Sequence, residues 1–92
     1  MKIYVVWCWD EKTNTDETVG FFRTFEKARE RMLTNANHDK EEIDLHHADA
    51  FFKYGEEEGA EARLYDDGKS VMVDDEYGAW RTKYWIREEE LA

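Results

Sequence analysis

The sequence contains no proline, a single cysteine and only five glycines. Disordered segments are rich in proline and poor in aromatic residues, whereas aromatic residues make up 15% of this chain, so a folded protein is expected. With one cysteine, Cys8, neither an intramolecular disulfide nor a four-cysteine zinc site can form. The glycines match no phosphate-binding loop and no dinucleotide-binding pattern. Residues 1–92 are therefore predicted to form one domain without such a cofactor.

Long hydrophobic runs are also missing. The apolar run Ile3–Trp9 is short, ends in an acidic pair and lacks a small-residue cleavage site, so it does not resemble a signal peptide. No stretch approaches the about 20 apolar residues that cross a membrane, and an anionic membrane surface would repel an acidic protein. Because a lone thiol fits a reducing compartment, the sequence predicts a soluble, cytoplasmic protein with no membrane partner.

Basic residues are few, and the acidic residues are unevenly distributed. The chain has 13 lysines and arginines against 23 aspartates and glutamates, for a net charge of −10. Residues 55–78, called the acidic segment below, hold nine acids against Arg63 and Lys69. Such a one-sided patch favours encounter with a positively charged partner. The nine acids are Glu56, Glu57, Glu58, Glu61, Asp66, Asp67, Asp74, Asp75 and Glu76.

Two interpretations of the acidic segment are open. Carboxylates two residues apart on a strand lie roughly 6–7 Å apart, a separation close to that of neighbouring phosphates, so a rigid array could occupy a basic groove built for nucleic acid. Tyr65, Tyr77 and Trp85 would then be anchors, since Tyr and Trp are enriched at interface hot spots. Alternatively, the acids lie in solvated turns, the aromatic residues fill the core, and the acidity serves solubility.

The first third predicts a hairpin followed by a helix. Residues 2–9 are apolar on both faces, which indicates a central strand, and Thr18–Arg23 returns as its partner. Thr24 is a good N-cap for a helix whose apolar positions recur from Phe25 onward. This helix is expected to end near Asn35 or Asn37, because asparagine tolerates the left-handed turn that closes many helices.

The middle of the chain is ambiguous. Asp39 followed by Glu42 matches a capping box, which favours a second helix ending at Gly55. The alternation of Ile43, Leu45 and His47 would also suit a strand, but helix is preferred.

The last third predicts strands. Residues 61–65 and 70–73 flank Asp66–Lys69, a hairpin turn in which Gly68 supplies a positive φ. Residues 80–87 alternate, with Trp85 on the more polar face, and the tail 88–92 is expected to fray. The predicted fold is thus α+β, in the order ββααβββ, with two helices packed on one face of a mainly antiparallel sheet.

No catalytic or metal-binding pattern is recognisable. The acidic turns match no calcium-binding loop. His46 and His47 would point about 100° apart on a helix, and His46 with Asp49 supplies only two metal ligands, so a metal-dependent site there is the weakest of the functional hypotheses. We therefore expect a non-enzymatic protein with no metal, no cofactor and no catalytic residues.

The junction Gly20–Ala28 (GFFRTFEKA), together with the small size, acidity and lack of a catalytic motif, resembles small acidic phage-encoded inhibitors of host defence, such as anti-restriction and anti-CRISPR proteins. The resemblance implies an inhibitor that acts as a nucleic-acid mimic on the basic nucleic-acid-binding surface of a restriction or CRISPR nuclease. Such an inhibitor binds no nucleic acid itself and is a monomer or a homodimer. The alternative is a small regulatory module for protein–protein interaction, possibly homodimeric.

Overall fold

The computed structural model describes residues 1–54, 62–75 and 81–91, with the side chains of these residues apart from 46–54 and 75. Five strands and one helix are present in these ranges. The strands form one sheet in the order β2-β1-β5-β4-β3, and every neighbouring pair is antiparallel. The elements are β1 (Lys2–Asp10), β2 (Thr15–Phe22), α1 (Phe25–Tyr54), β3 (Ala62–Asp66), β4 (Ser70–Asp75) and β5 (Arg81–Glu90).

The predicted order ββααβββ is wrong, because one continuous helix replaces the two expected helices. Thr24 caps it as predicted, since its hydroxyl oxygen accepts a hydrogen bond from the Lys27 amide at 3.2 Å. Asn35 and Asn37 lie inside the helix rather than at its end. Asp39 caps nothing, because its carboxylate accepts a hydrogen bond from the Tyr84 hydroxyl.

Packing explains why the helix continues through these positions. Ala28, Met32, Ala36 and Ile43 are all buried and lie on one helical stripe that faces the sheet. Burial of this stripe outweighs the weak helix propensity of two asparagines, which costs only a few tenths of a kcal/mol each. Below the stripe lie further buried residues of the sheet, among them Val6, Ala62, Val71, Val73 and Tyr84.

The strand pairing follows the sequence pattern closely at the centre of the sheet. β1 lies between β2 and β5, as the apolar character of both its faces predicts. β5 continues to Glu90, which pairs with Lys2, so residues 88–90 belong to the sheet instead of fraying. In the β3–β4 turn, Gly68 has a φ of 98°, the left-handed value expected of it.

Across the described ranges, no helix has both the length and the apolarity that a membrane crossing requires.

Candidate interaction surface

One face of the sheet packs against α1, and the other carries the residues of interest. Side chains alternate between the faces, so Tyr4, Val6 and Cys8 of β1 turn toward α1. Ile3, Val5, Trp7 and Trp9 therefore lie on the opposite face, which we call the open face. No element among the described residues covers it.

Strand register aligns aromatic residues across the open face. Trp7 of β1 lies opposite Trp85 of β5, and their rings are nearly parallel, at 10° with centroids 6.4 Å apart. In the next row, Tyr65, Met72, Lys83 and Trp9 follow one another across four adjacent strands. Aromatic residues thus occupy two neighbouring cross-strand rows at the centre of the open face.

This apolar character is unusual for a solvated sheet face. Antiparallel sheets with one wet face normally place polar residues outward, whereas all four outward residues of β1 are apolar. Phe21 and Tyr65 remain 65% and 47% exposed on this face. Val5 is only 1% exposed although it lies outside the helix-side cluster, so its neighbours on the open face already shield it. The open face therefore combines partly buried aromatic residues at its centre with exposed apolar side chains on β2 and β3.

The charges of the open face differ from those of the whole chain. The described residues of this face include four bases, Arg63, Arg81, Lys83 and Arg87, and three acids, Asp16, Asp74 and Glu89. Arg81 pairs with Asp74 at 3.5 Å. In the described part of the chain, no ion pair involves Lys83 or Arg87, which flank Trp85 on β5. The open face is close to neutral on a protein with a net charge of −10.

The acids predicted as binding residues are largely engaged within the fold where they are described. Arg29 of α1 donates two hydrogen bonds to Asp66, at 3.0 and 2.6 Å, and a third to the Gly68 carbonyl at 3.0 Å. This guanidinium and the Gly68 amide lower the pKa of Asp66 to about 2. Asp66 therefore ties the helix to the β3–β4 turn.

Asp67 and Asp74 also have local partners. Asp67 accepts hydrogen bonds from the Ser70 hydroxyl at 2.7 Å and the Ser70 amide at 2.6 Å, which lower its pKa. Asp74 pairs with Arg81, as described above. The remaining predicted residues, Glu56, Glu57, Glu58, Glu61, Glu76 and Tyr77, lie outside the described residues, and so does the side chain of Asp75.

Of the predicted anchors, the sheet brings two together. Tyr65 and Trp85 both lie on the open face, with Met72 and Lys83 in the intervening row. Tyr65, Asp67, Ser70, Met72 and Lys83 line a shallow depression of about 500 Å³ beside them. Sequence reasoning missed Trp7, Phe21 and Met72 as parts of the same surface. The signal for Trp7 is the second apolar face of β1, which by itself indicates only a central strand.

A second polar cluster lies between α1 and the sheet. Cys8 and Tyr84 are register partners on β1 and β5, and Tyr84 donates its hydroxyl hydrogen to Asp39. Burial raises the pKa of Asp39 and that of Tyr84, and it raises the pKa of the Cys8 thiol to about 11. Cys8 is therefore protonated at neutral pH and a poor nucleophile.

The histidines form no metal site in the part of the chain whose side chains are described. His38 lies 3.1 Å from Glu42 on the helix surface. No group of three potential ligands occurs among the described residues. The side chains of His46, His47 and Asp49 lie outside them, so the hypothesis of a site at His46 and Asp49 stays a prediction.

Comparisons with known proteins return no relative: no protein-family model, no curated protein and no solved structure matches this chain.

The Arg29–Asp66 contact gives a prediction about acid stability. Both side chains are less than a third exposed, and the contact is bidentate, so Asp66→Asn should lower the free energy of unfolding by about 1 kcal/mol at pH 7. Because folding depresses the pKa of Asp66, this stability is present above about pH 4 and lost as the pH falls through about 2. Urea denaturation at pH 7 and at pH 2.5 measures the difference.

The matched control is Asp16→Asn, which removes an exposed acid of β2 and should change stability little at either pH. A loss of stability in Asp66→Asn that is equal at both pH values would contradict the assignment of an ionic contact.

Proposed function

We propose that this protein is a non-enzymatic module for protein–protein interaction, acting in the cytoplasm, and that the open face is its binding surface. The observation that supports this most directly is the outward side of β1, where Ile3, Val5, Trp7 and Trp9 take positions that a solvated sheet fills with polar residues. Tryptophan and tyrosine are the residue types that contribute most to interface affinity.

The charge distribution supports the same proposal. Interface centres are enriched in aromatic residues and arginine. Trp7 and Trp85 stack at the middle of the open face, and Lys83 and Arg87 flank Trp85 on β5. The strong acidity of the remaining surface keeps the protein soluble and disfavours association elsewhere.

A second candidate is the acidic inhibitor that mimics nucleic acid. The excess of nine acids over two bases in residues 55–78 supports it. Its partner would be the basic nucleic-acid-binding surface of a host defence protein. Three acids of the acidic segment have described side chains: Asp66, Asp67 and Asp74. Asp66 and Asp74 each pair with an arginine of the same chain, which reduces the negative charge that they offer to a partner. The open face is therefore the stronger candidate for the binding surface.

A differential capture experiment separates the two candidates. The immobilised chain is exposed to a bacterial lysate, and bound proteins are identified by mass spectrometry for three forms. The open-face variant is Phe21→Ser with Tyr65→Ser, at exposed positions where substitutions usually change stability by less than about 0.5 kcal/mol. The acid variant carries Glu56→Lys, Glu57→Lys and Glu58→Lys. The third form is the unchanged chain.

We expect the open-face variant to lose the captured partner and the acid variant to retain it, with binding that persists when salt is raised from 0.05 to about 0.5 M. Salt at this level screens exposed charges but not apolar contacts. Loss of the partner in the acid variant alone, with steep weakening by salt, would reject the open face and favour the mimic.

A further inference from the structure

We propose that the outer edge of β2 binds an extended acidic segment of a partner protein, which adds a strand to the sheet beside the bases Lys27 and Arg31 of α1. The site is separate from the open face, so this inference does not depend on the proposed function. Strand addition takes its affinity from main-chain hydrogen bonds and its specificity from alternate side chains.

The hydrogen bonds of β1 show which backbone groups of β2 point to the outer edge. Met1 and Leu91 exchange two hydrogen bonds at the end of the β1–β5 pair, at 2.7 and 3.4 Å. Because hydrogen-bonded pairs alternate along an antiparallel ladder, the odd-numbered residues of β1 bond to β5 and the even-numbered ones to β2. Their partners on β2 include Gly20 and Phe22. Phe21, between these two, therefore points its amide and carbonyl away from β1, where no described strand pairs with β2.

The end of β2 near Phe21 is the part of this edge that suits an added acidic strand. The register between β1 and β2 shifts between Val6 and Trp7, and bulges and charges are the features that protect edge strands from pairing. On the far side of the bulge, Asp16 and Glu17 would repel an acidic segment. The last residues of β2 carry neither feature.

A groove of about 340 Å³ lies between this end of β2 and α1. The Phe22 ring lies at its base, with the Arg31 guanidinium 6.0 Å from the ring centroid. A Cβ at Gly20 would lie 3.0 Å from the Phe22 ring, so the glycine leaves room for this ring. The residues that line the groove are Phe22, Lys27, Glu30, Arg31, Thr34 and Asn35.

The bases beside the groove are exceptions in an acidic protein. Four other lysines and arginines form ion pairs with acids of the chain. Arg23, Lys27 and Arg31 are exposed, follow one another at intervals of four residues, and form no ion pair with any described residue. Like charges four residues apart on a helix destabilise it. A row of bases kept without internal partners, in a chain with 23 acids, fits an external anionic ligand.

The spacing of these bases fits an extended chain. Residues four apart on a helix have Cβ atoms about 5–6 Å apart. Alternate residues of a strand lie roughly 6–7 Å apart on one face, so acids at alternate positions of the added strand can meet Lys27 and Arg31 together. The positions in between lie on the other face of the sheet, beside the exposed Phe21, and suit apolar residues. The recognised segment therefore alternates acidic and apolar residues.

Peptide binding tests the site. The probe is a fluorescent peptide in which glutamate and valine alternate, and its anisotropy is measured with the full chain. We expect a Kd below about 1 mM at low salt. The affinity should fall at least about tenfold at about 0.5 M salt, because exposed charges are then screened. A peptide of the same composition, with its glutamates and valines in two blocks, should bind at least about tenfold more weakly, since it cannot place all its acids on the face of α1.

Charge reversals locate the site on the chain. Lys27→Glu and Arg31→Glu should each weaken binding of the alternating peptide at least about tenfold, because each places like charges opposite one another. The matched control is Lys69→Glu, at an exposed base of the β3–β4 turn outside the groove, which should change the affinity by less than about twofold. Circular dichroism of every variant checks that the fold is retained.

A proline at the edge tests the backbone contact. Phe21→Pro removes an amide that points outward, which an edge strand tolerates, and should weaken binding more than Phe21→Ala, which keeps the amide.

Four results would overturn the inference: equal binding of the two peptides, equal effects of Lys27→Glu and Lys69→Glu, inorganic phosphate bound as tightly as the alternating peptide, or a dimer of the free chain that Lys27→Glu dissociates. The last would place a second copy in the groove.

Discussion

Met32→Ala is expected to lower the free energy of unfolding by about 2–5 kcal/mol. Met32 is fully buried and belongs to the largest fully buried side chains of the described core. It lies on the stripe of α1 that packs on Val6, Val71 and Val73 of the sheet. Truncation removes apolar contacts and leaves a cavity that the strands beneath can only partly close. Urea denaturation at neutral pH measures the loss.

Leu45→Ala is the matched control on the same helix. Leu45 is 70% exposed, so its truncation should change stability by less than about 0.5 kcal/mol. Similar effects of the two substitutions would mean that α1 does not present the stripe Ala28, Met32, Ala36 and Ile43 to the sheet. The comparison therefore tests which side of α1 packs on the sheet.

Elements defined by local chemistry could be predicted from the sequence. Thr24 begins the helix, Gly68 closes the β3–β4 turn, and the alternation in residues 81–87 assigns the two faces of β5. Each of these signals depends on a residue and its nearest neighbours. The helical spacing of apolar residues after Phe25 likewise predicts a buried face, which Ala28, Met32 and Ala36 form in the structure.

The features that were missed depend on residues far apart in sequence. Asp39 and Glu42 have the spacing of a capping box, and only the fold reveals that Asp39 is held by Tyr84, 45 residues later. The insertion of β5 between β1 and β4 likewise leaves no local trace. The spacing of Asp39 and Glu42 therefore predicts the start of a second helix at a position where packing against the sheet keeps α1 continuous.

The candidate surface was predictable only in part, for the same reason. The sequence predicts Tyr65 and Trp85 as anchors of an acidic surface, whereas the strand register places them with Trp7 and Met72 on an aromatic one. The sequence predicts Asp66 as a candidate partner-binding acid, whereas Arg29, 37 residues earlier, binds it within the fold. Net charge counts acids without regard to their partners, so it overstates the charge that a partner meets.

Tyr84→Phe is expected to lower the free energy of unfolding by about 1–3 kcal/mol at neutral pH. The substitution removes the hydroxyl group that donates a hydrogen bond to Asp39, a half-buried carboxylate on the core stripe of α1. The ring is retained, so packing against the helix changes little. The cost arises because a charged group then remains desolvated without a hydrogen-bond donor.

The pH dependence of this effect identifies its cause. Burial raises the pKa of Asp39, whereas the hydrogen bond from Tyr84 lowers it, so loss of the hydroxyl should raise that pKa further. A raised pKa in the folded state means that folding favours the protonated carboxyl, so stability is present below the unfolded pKa and lost as the pH rises through the folded one. The deficit of Tyr84→Phe should therefore be largest at neutral pH and smaller in acid.

Asp39→Asn separates the charge of Asp39 from its hydrogen bond. The amide oxygen of asparagine can still accept from the Tyr84 hydroxyl, and no charge is buried, so this variant should be at least as stable as the unchanged chain at pH 7. In this background Tyr84→Phe should cost less than it does alone, because a neutral acceptor is cheaper to leave unpaired than a carboxylate. Equal costs of Tyr84→Phe in both backgrounds, measured by urea denaturation at pH 7, would show that the hydroxyl group acts through packing and not through Asp39.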